Sequence, residues 1–215
     1  MGRGLMERGV SLSEKFFDQE SCETIETLSE RRSDMFFKET SLRGAHVIEL
    51  DKREESRGFF ARTFCQDEFL EKGLKADIVQ ANVSFNRKKG TLRGMHFQAD
   101  PFGECKIVRC DRGAIYDVII DLRPDSGTFQ SWFGIALHEG DGKMLYIPEH
   151  FAHGYLTLEN HSEVFYLVTQ AYVPDAGRGV PFDDPAFAIQ WPAEVAEISE
   201  QDRSWKRFKQ EKVAA

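Results

Sequence analysis

Between residues 46 and 147 the chain is a succession of short runs rich in β-branched and aromatic residues, each ended by glycine, proline, aspartate or serine. Runs at 46–50, 58–64, 78–85, 105–110, 114–122, 132–137 and 143–147 predict β-strands. Turn signals lie between them at Lys89-Gly90, Asp111-Arg112-Gly113, Pro124-Asp125-Ser126-Gly127 and Gly140-Asp141-Gly142. Only 67–75 and 199–209 have a helical pattern. Strands at roughly ten-residue intervals, with no long helices interleaved, predict an all-β sandwich or jelly-roll barrel rather than a parallel α/β sheet.

Alternate residues of a barrel strand point inward, and an inward polar residue must be satisfied or face a ligand. In 78–85, Gln80, Asn82 and Ser84 share one face and Val79, Ala81, Val83 and Phe85 the other. In 91–98 the same rule sets Thr91, Arg93 and Met95 against Leu92, Gly94, His96 and Gln98. In 114–122, Ile115, Asp117, Ile119 and Asp121 share a face. For any one strand a solvated outer face explains such a pattern. Three of them beside a histidine and two arginines point toward a polar cavity.

The chain has 215 residues, 41% of them hydrophobic, enough for one large all-β domain. Its 36 acidic and 28 basic residues give a net charge of -8, which disfavours nucleic acid as a partner. No apolar run reaches the 18 or so residues a membrane span needs, and the first residues do not read as a secretory signal, so the expected location is cytoplasmic. Cys22, Cys65, Cys105 and Cys110 show no CxxC spacing and are expected to be reduced, the last three as small buried side chains. Residues 1–36, polar and with apolar residues only in isolated pairs, read as an N-terminal extension that is flexible or loosely helical; residues 37–215 read as the domain.

Two chemistries fit the polar residues. Jelly-roll barrels often hold a metal on an HxH pair, a carboxylate and a later histidine. Here Gln98 stands at the second position of His96-Phe97-Gln98, and His96 and His153 lack an acidic ligand at the expected place. The alternative is metal-free acid–base work, with His96 as a base poised near neutral pH, a carboxylate to orient it, Lys106 to stabilise a developing oxyanion and Tyr166 to return a proton.

The ordered motifs Leu92-Arg93-Gly94-Met95-His96-Phe97-Gln98, Lys106-Ile107-Val108, Asp121-Leu122-Arg123, Tyr146-Ile147-Pro148, Phe151-Ala152-His153-Gly154, Glu163 to Tyr166, Asp183-Asp184-Pro185 and Trp191-Pro192 resemble the dTDP-4-dehydrorhamnose 3,5-epimerase family from about residue 37 to 202. The resemblance implies a cupin-type jelly-roll barrel with short peripheral helices and a C-terminal helix. It also implies a homodimer and a nucleotide-sugar substrate, without metal or redox cofactor. By the same resemblance His96 is the catalytic base, Asp202 its partner, Tyr166 the proton donor and Lys106 the group near the C4 oxygen. Arg57 and Arg93 form the diphosphate clamp, and Gln80, Asn82, His153 and Tyr172 line the substrate cavity. Cys105, His150, Leu167, Ala171 and Phe182 depart from the family's usual residues at positions that bear on the substrate. Inversion at C3 alone or C5 alone, 3,4-ketoisomerisation of a dTDP- or CDP-sugar, a non-catalytic sugar-binding cupin and a metal dioxygenase are the rival readings.

Overall fold

The period of two becomes two sheets stacked face to face in the computed structural model, which describes residues 35–208. Expectations that fall on residues 1–34 or 209–215 lie outside the described residues. In spatial order the first sheet is β1 (Met35–Glu39), β2 (His46–Leu50), β10 (Lys143–Ile147), β7 (Lys106–Arg112), β12 (Ser162–Val168) and β5 (Gln80–Asn86). The second is β13 (Gly177–Gly179), β6 (Thr91–Gln98), β11 (Phe151–Thr157), β8 (Ala114–Asp121) and β9 (Trp132–His138), with β14 (Glu197–Ile198) alongside β6. Strands β5, β6, β7 and β8 alternate between sheets, so the turn at 111–113 is a corner and not a hairpin. This is the jelly-roll arrangement expected.

Three apolar layers hold it together. Between the sheets, Val108, Cys110 and Val164 of the first meet Ile115, Ile119 and Phe151 of the second. Outside the first sheet, α1 (Gln66–Glu71) lays Phe69 over Ile48, Ile107, Met144 and Tyr146. Outside the second, Val180, Phe187, Trp191 and Phe208 cover Met95, Val118, Ile120 and Ala152. Each fully buried side chain of this size contributes about 1.5–3 kcal/mol.

Four expectations change. Strand β1 starts at Met35, which is 1% exposed, so it crosses the boundary drawn between residues 36 and 37. The run 58–64 supplies only β4 (Gly58–Phe60), which pairs with β3 (Arg53–Glu55) in a separate exposed hairpin. The C-terminal helix, expected over 199–209, is α2 (Glu200–Arg203) alone. Tertiary packing ends it: Trp205 lies against Gly179, and Phe208 packs on Phe187 while its N–H donates to Asp184 Oδ2 at 2.6 Å.

The fourth change is in β6. His153 of β11 pairs with His96 and Tyr155 with Arg93, so Gly154 stands opposite both Gly94 and Met95. This β-bulge adds one residue to β6 and resets its alternation. Arg93 and His96, three apart and assigned to opposite faces, both line the space between the sheets. Met95 turns outward into the third apolar layer. A Cβ on Gly154 would lie 2.7 Å from Arg93 O and 2.9 Å from Gly94 Cα, so only glycine allows the approach. Gly154→Ala is expected to lower stability by about 1–3 kcal/mol, as overpacking against backbone does. The midpoint of urea unfolding checks this.

Candidate active site

Two adjoining cavities of about 500 and 380 Å³ open between the sheets and share His96, Lys106, Tyr166 and Gln201 in their lining. The bulge in β6 turns His96 inward, and α2 brings Asp202 to meet it. Ser199 Oγ caps that short helix by accepting the Asp202 N–H at 3.0 Å. His96 Nε2 lies 2.5 Å from Asp202 Oδ1, and the Gly94 N–H donates to Asp202 Oδ2 at 3.3 Å. Burial pushes the Asp202 carboxyl up, but the hydrogen bond and charge of His96 and the Gly94 N–H outweigh it and hold it below its ordinary range. A carboxylate here accepts Nε2–H and leaves the Nδ1 lone pair for a proton. The imidazole side chain remains 43% exposed.

Beside it on β11, His153 Nε2 lies 2.6 Å from Asp117 Oδ1 of β8. Asp117 is fully buried, and its Oδ2 has no hydrogen-bond partner among the described residues. Thus both histidines singled out from the sequence carry a carboxylate.

The first sheet faces this pair with different chemistry. Lys106 Nζ is 2.6 Å from Glu104 Oε1. Tyr166 on β12 lines both cavities, and no acceptor or donor engages its hydroxyl among the described residues. Burial raises its pKa, the charge of Glu104 adds to the rise, and Arg93 opposes it, so the group is a neutral phenol at pH 7. Arg93 donates Nε–H to Asn86 Oδ1 at 2.8 Å, a neutral acceptor, and no carboxylate pairs with the guanidinium among the described residues.

Gln80, Asn82 and Tyr172 line the smaller cavity with Arg178 and Trp205, Tyr172 being 62% exposed. His153 lines the larger one. Arg57 is the exception. It sits at the turn of the exposed β3–β4 hairpin, 2.6 Å from Glu55, and lines neither cavity.

The sequence profile described as dTDP-4-dehydrorhamnose 3,5-epimerase matches residues 39–210. The chain belongs to this family. It is 42% identical over 181 residues to the dTDP-4-dehydrorhamnose 3,5-epimerase of Methanothermobacter thermautotrophicus, covering 82% of this chain and 96% of that protein. The crystal structure of the Bacillus anthracis epimerase with TDP and pyrophosphate bound superposes with a TM-score of 0.78 at 37% identity, over 81% of this chain and 99% of that one. A 3'-monoepimerase from Streptomyces bikiniensis in complex with dTDP-quinovose gives 0.73 at 28% identity, over 78% and 85%.

Within this epimerase fold four polar residues join the site that were not among those assigned to it from the sequence pattern. Asp117 has an inward face in that pattern but no partner. Glu104 lies two residues before Lys106 and so shares its face. Asn86 continues the row Gln80, Asn82, Ser84 and is buried, donating to Tyr155 Oη at 3.3 Å while accepting from Arg93. Tyr155 Oη in turn donates to Ser84 Oγ at 2.8 Å. Period two contains the signal for all but Tyr155, which lies beyond the strands read from the sequence.

A carboxyl whose folded pKa is depressed stabilises the fold above its ordinary value near 4, and that contribution disappears as pH falls through the lower folded value. Asp202→Asn is therefore expected to be less stable than the wild type at pH 7 by about 1–2 kcal/mol, the scale of a hydrogen bond to a charged group. The difference should shrink on acidification below about pH 4, as urea unfolding at pH 7 and pH 3 would register.

Proposed function

We propose that this protein is a nucleotide-sugar epimerase that inverts C3 and C5 of dTDP-4-dehydro-6-deoxy-glucose to form dTDP-4-dehydro-rhamnose. One observation carries the reading: His96 of the second sheet, paired with Asp202 of α2, and a tyrosine of the first sheet whose hydroxyl has no partner among the described residues line the same cavity. A sugar ring between the sheets presents one face to each. His96 removes the proton from the carbon beside the keto group, and Asp202 stabilises the imidazolium formed. Electron density moves to the C4 oxygen as the enolate forms, and the Lys106 ammonium stabilises it. Tyr166 returns a proton to the other face. The keto group acidifies both neighbouring C–H bonds, so the same residues serve C3 and C5. A positioned base contributes roughly 10²–10⁴ in rate and an oxyanion donor about 3 kcal/mol.

Arg93 holds the diphosphate, and Gln80, Asn82 and Tyr172 line the nucleotide side of the cavity. A homodimer is part of this reading. Val79 just before β5, Val83 and Phe85 on its outer face, and Phe59 and Phe60 on the β3–β4 hairpin, are each between 44 and 61% exposed. A second protomer covers such apolar surface. Arg57, on that same hairpin, then serves a site on the other protomer. The free thiols of Cys65, Cys105 and Cys110 fit the reducing cytoplasm, and we assign the enzyme there.

The likeness to a 3'-monoepimerase gives a second reading, inversion at C3 alone. Incubation with the dTDP-4-keto sugar in deuterium oxide separates the two, because deuterium at both C3 and C5 supports the first and at C3 alone the second. No exchange at either position would exclude both. His96→Ala is expected to abolish exchange while nucleotide binding survives. Tyr166→Phe is expected to keep exchange but lose inversion, visible in the ring couplings by NMR. A Tyr166→Phe product inverted at the wild-type rate would remove the tyrosine from the donor role.

The clamp is tested separately. Asn86→Ala releases the Arg93 guanidinium from its fixed orientation and is expected to weaken dTDP binding roughly tenfold, about 1.4 kcal/mol, in calorimetry. Affinity should also fall as salt rises, because the contact is between charges.

A further inference from the structure

Glu104 has no part in the reaction as written above, yet it lies in the same cavity. Strand β7 opens at Lys106, and its alternation extends back through Cys105 to Glu104. Cys105 turns into the layer beneath α1 with Ile107, while Glu104 and Lys106 both line the cavity. Glu104 Oε1 is 2.6 Å from Lys106 Nζ, with the two side chains only 12% and 11% exposed. Tyr166 is the diagonal neighbour of Lys106 across the ladder, since Tyr166 pairs with Val108 and Val168 with Lys106, and it lines the same cavity as Glu104.

We propose that Glu104 is a positioning residue of this site: its carboxylate orients the Lys106 ammonium for the substrate's carbonyl oxygen and maintains Tyr166 as the neutral phenol that proton donation requires. The inference rests on the epimerase reading above. A free lysine side chain samples many rotamers, and fixing it costs up to ~2 kcal/mol. A close ion pair with Glu104 does this before substrate arrives. Burial works against ionisation of Tyr166, and a carboxylate nearby disfavours a second negative charge in the same way.

The other charges around Tyr166 come from every side of the cavity. Arg93 and His96 project from β6, His153 from β11, Arg178 from β13 and Glu197 from β14, with Asp202 and Asp117 behind the two histidines; Lys106 itself is on β7. Strand β5 presents the neutral Gln80, Asn82 and Ser84. Among these, Arg93 favours the phenolate and Glu104 opposes it. Removing Glu104 therefore lets the phenol ionise at lower pH, and the donor form is lost earlier as pH rises.

The test is the pH profile of sugar inversion by the full-length wild type, Glu104→Gln and Glu104→Asp. In Glu104→Gln the alkaline limb of kcat is expected to move down by about one pH unit. Its kcat should fall roughly tenfold, less than the 10²–10³ that loss of an oxyanion donor costs, with KM nearly unchanged. Glu104→Asp retains the charge but withdraws it by one methylene, so the limb should stay in place while kcat drops. A Glu104→Gln enzyme with wild-type kcat and profile overturns the inference, and so does a uniform loss at all pH values with the limb unmoved. If Glu104→Gln does not fold, Glu104→Asp decides: wild-type kcat overturns the positioning role, and a reduced kcat with an unmoved limb supports it. A wild type that neither exchanges nor inverts overturns the epimerase reading and this inference together. An active wild type with an indifferent Glu104→Gln overturns this inference alone.

Discussion

Strand β6 comes within backbone contact of β11 at Gly94 and Gly154, and the site is built outward from that approach. A regular ladder would send Arg93 and His96 to opposite sides of the sheet. The extra residue at the bulge turns both inward and leaves the Gly94 N–H outside the pairing with β11, free to donate to Asp202 Oδ2. Asp202 is thereby held from two directions, by Gly94 through one oxygen and by His96 through the other. The fold, the orientation of His96 and the placement of Arg93 thus depend on one local departure from β geometry. Side chains at Gly94 or Gly154 would force the strands apart, and the histidine–carboxylate contact would open with them.

Charge is distributed within the cavity in a way that the whole-chain balance of -8 conceals. His96, His153 and Lys106 each face a carboxylate at 2.5 to 2.6 Å. Arg93 faces the neutral amide of Asn86. In the proposed reaction the paired groups handle protons and a transient oxyanion, because their partners orient them and compensate changes in charge. The guanidinium, without a carboxylate partner among the described residues, keeps its attraction for an anion. An acidic protein can therefore present a local anion handle, which suits a diphosphate far better than the long polyanion that the net charge disfavours.

Much of this arrangement is legible in the amino-acid sequence. Period two assigns the inward faces of β5 and β8 correctly, and Gln80, Asn82 and Ser84 do line the cavities, because both strands keep an unbroken ladder. The same rule fails at β6, where a bulge breaks the period and no residue-type pattern distinguishes a bulge glycine from a turn glycine. The helix expected over 199–209 fails for another reason. Local propensity extends it, but burying Trp205 and Phe208 against the second sheet bends the chain after Arg203. Arg57 owes its sequence assignment to the surrounding motif, and its placement on an exposed hairpin is a property of how β3 pairs with β4, which the motif does not encode.

The division of labour between the sheets is the feature that favours inversion over a simple shift of the carbonyl. His96 and the His153–Asp117 pair project from the second sheet, with Asp202 brought to His96 by α2, whereas Tyr166 and the Lys106–Glu104 pair lie on the first. A ketoisomerase needs a proton moved between neighbouring atoms, and a single group on one face of the ring suffices for that. Stereochemical inversion needs removal from one face and delivery to the other, so the acid and the base must stand on walls that never exchange places. Two rigid sheets packed through a continuous apolar layer meet this requirement directly. In the proposed reaction neither wall has to move, because a sugar ring placed between them would meet His96 on one side and Tyr166 on the other.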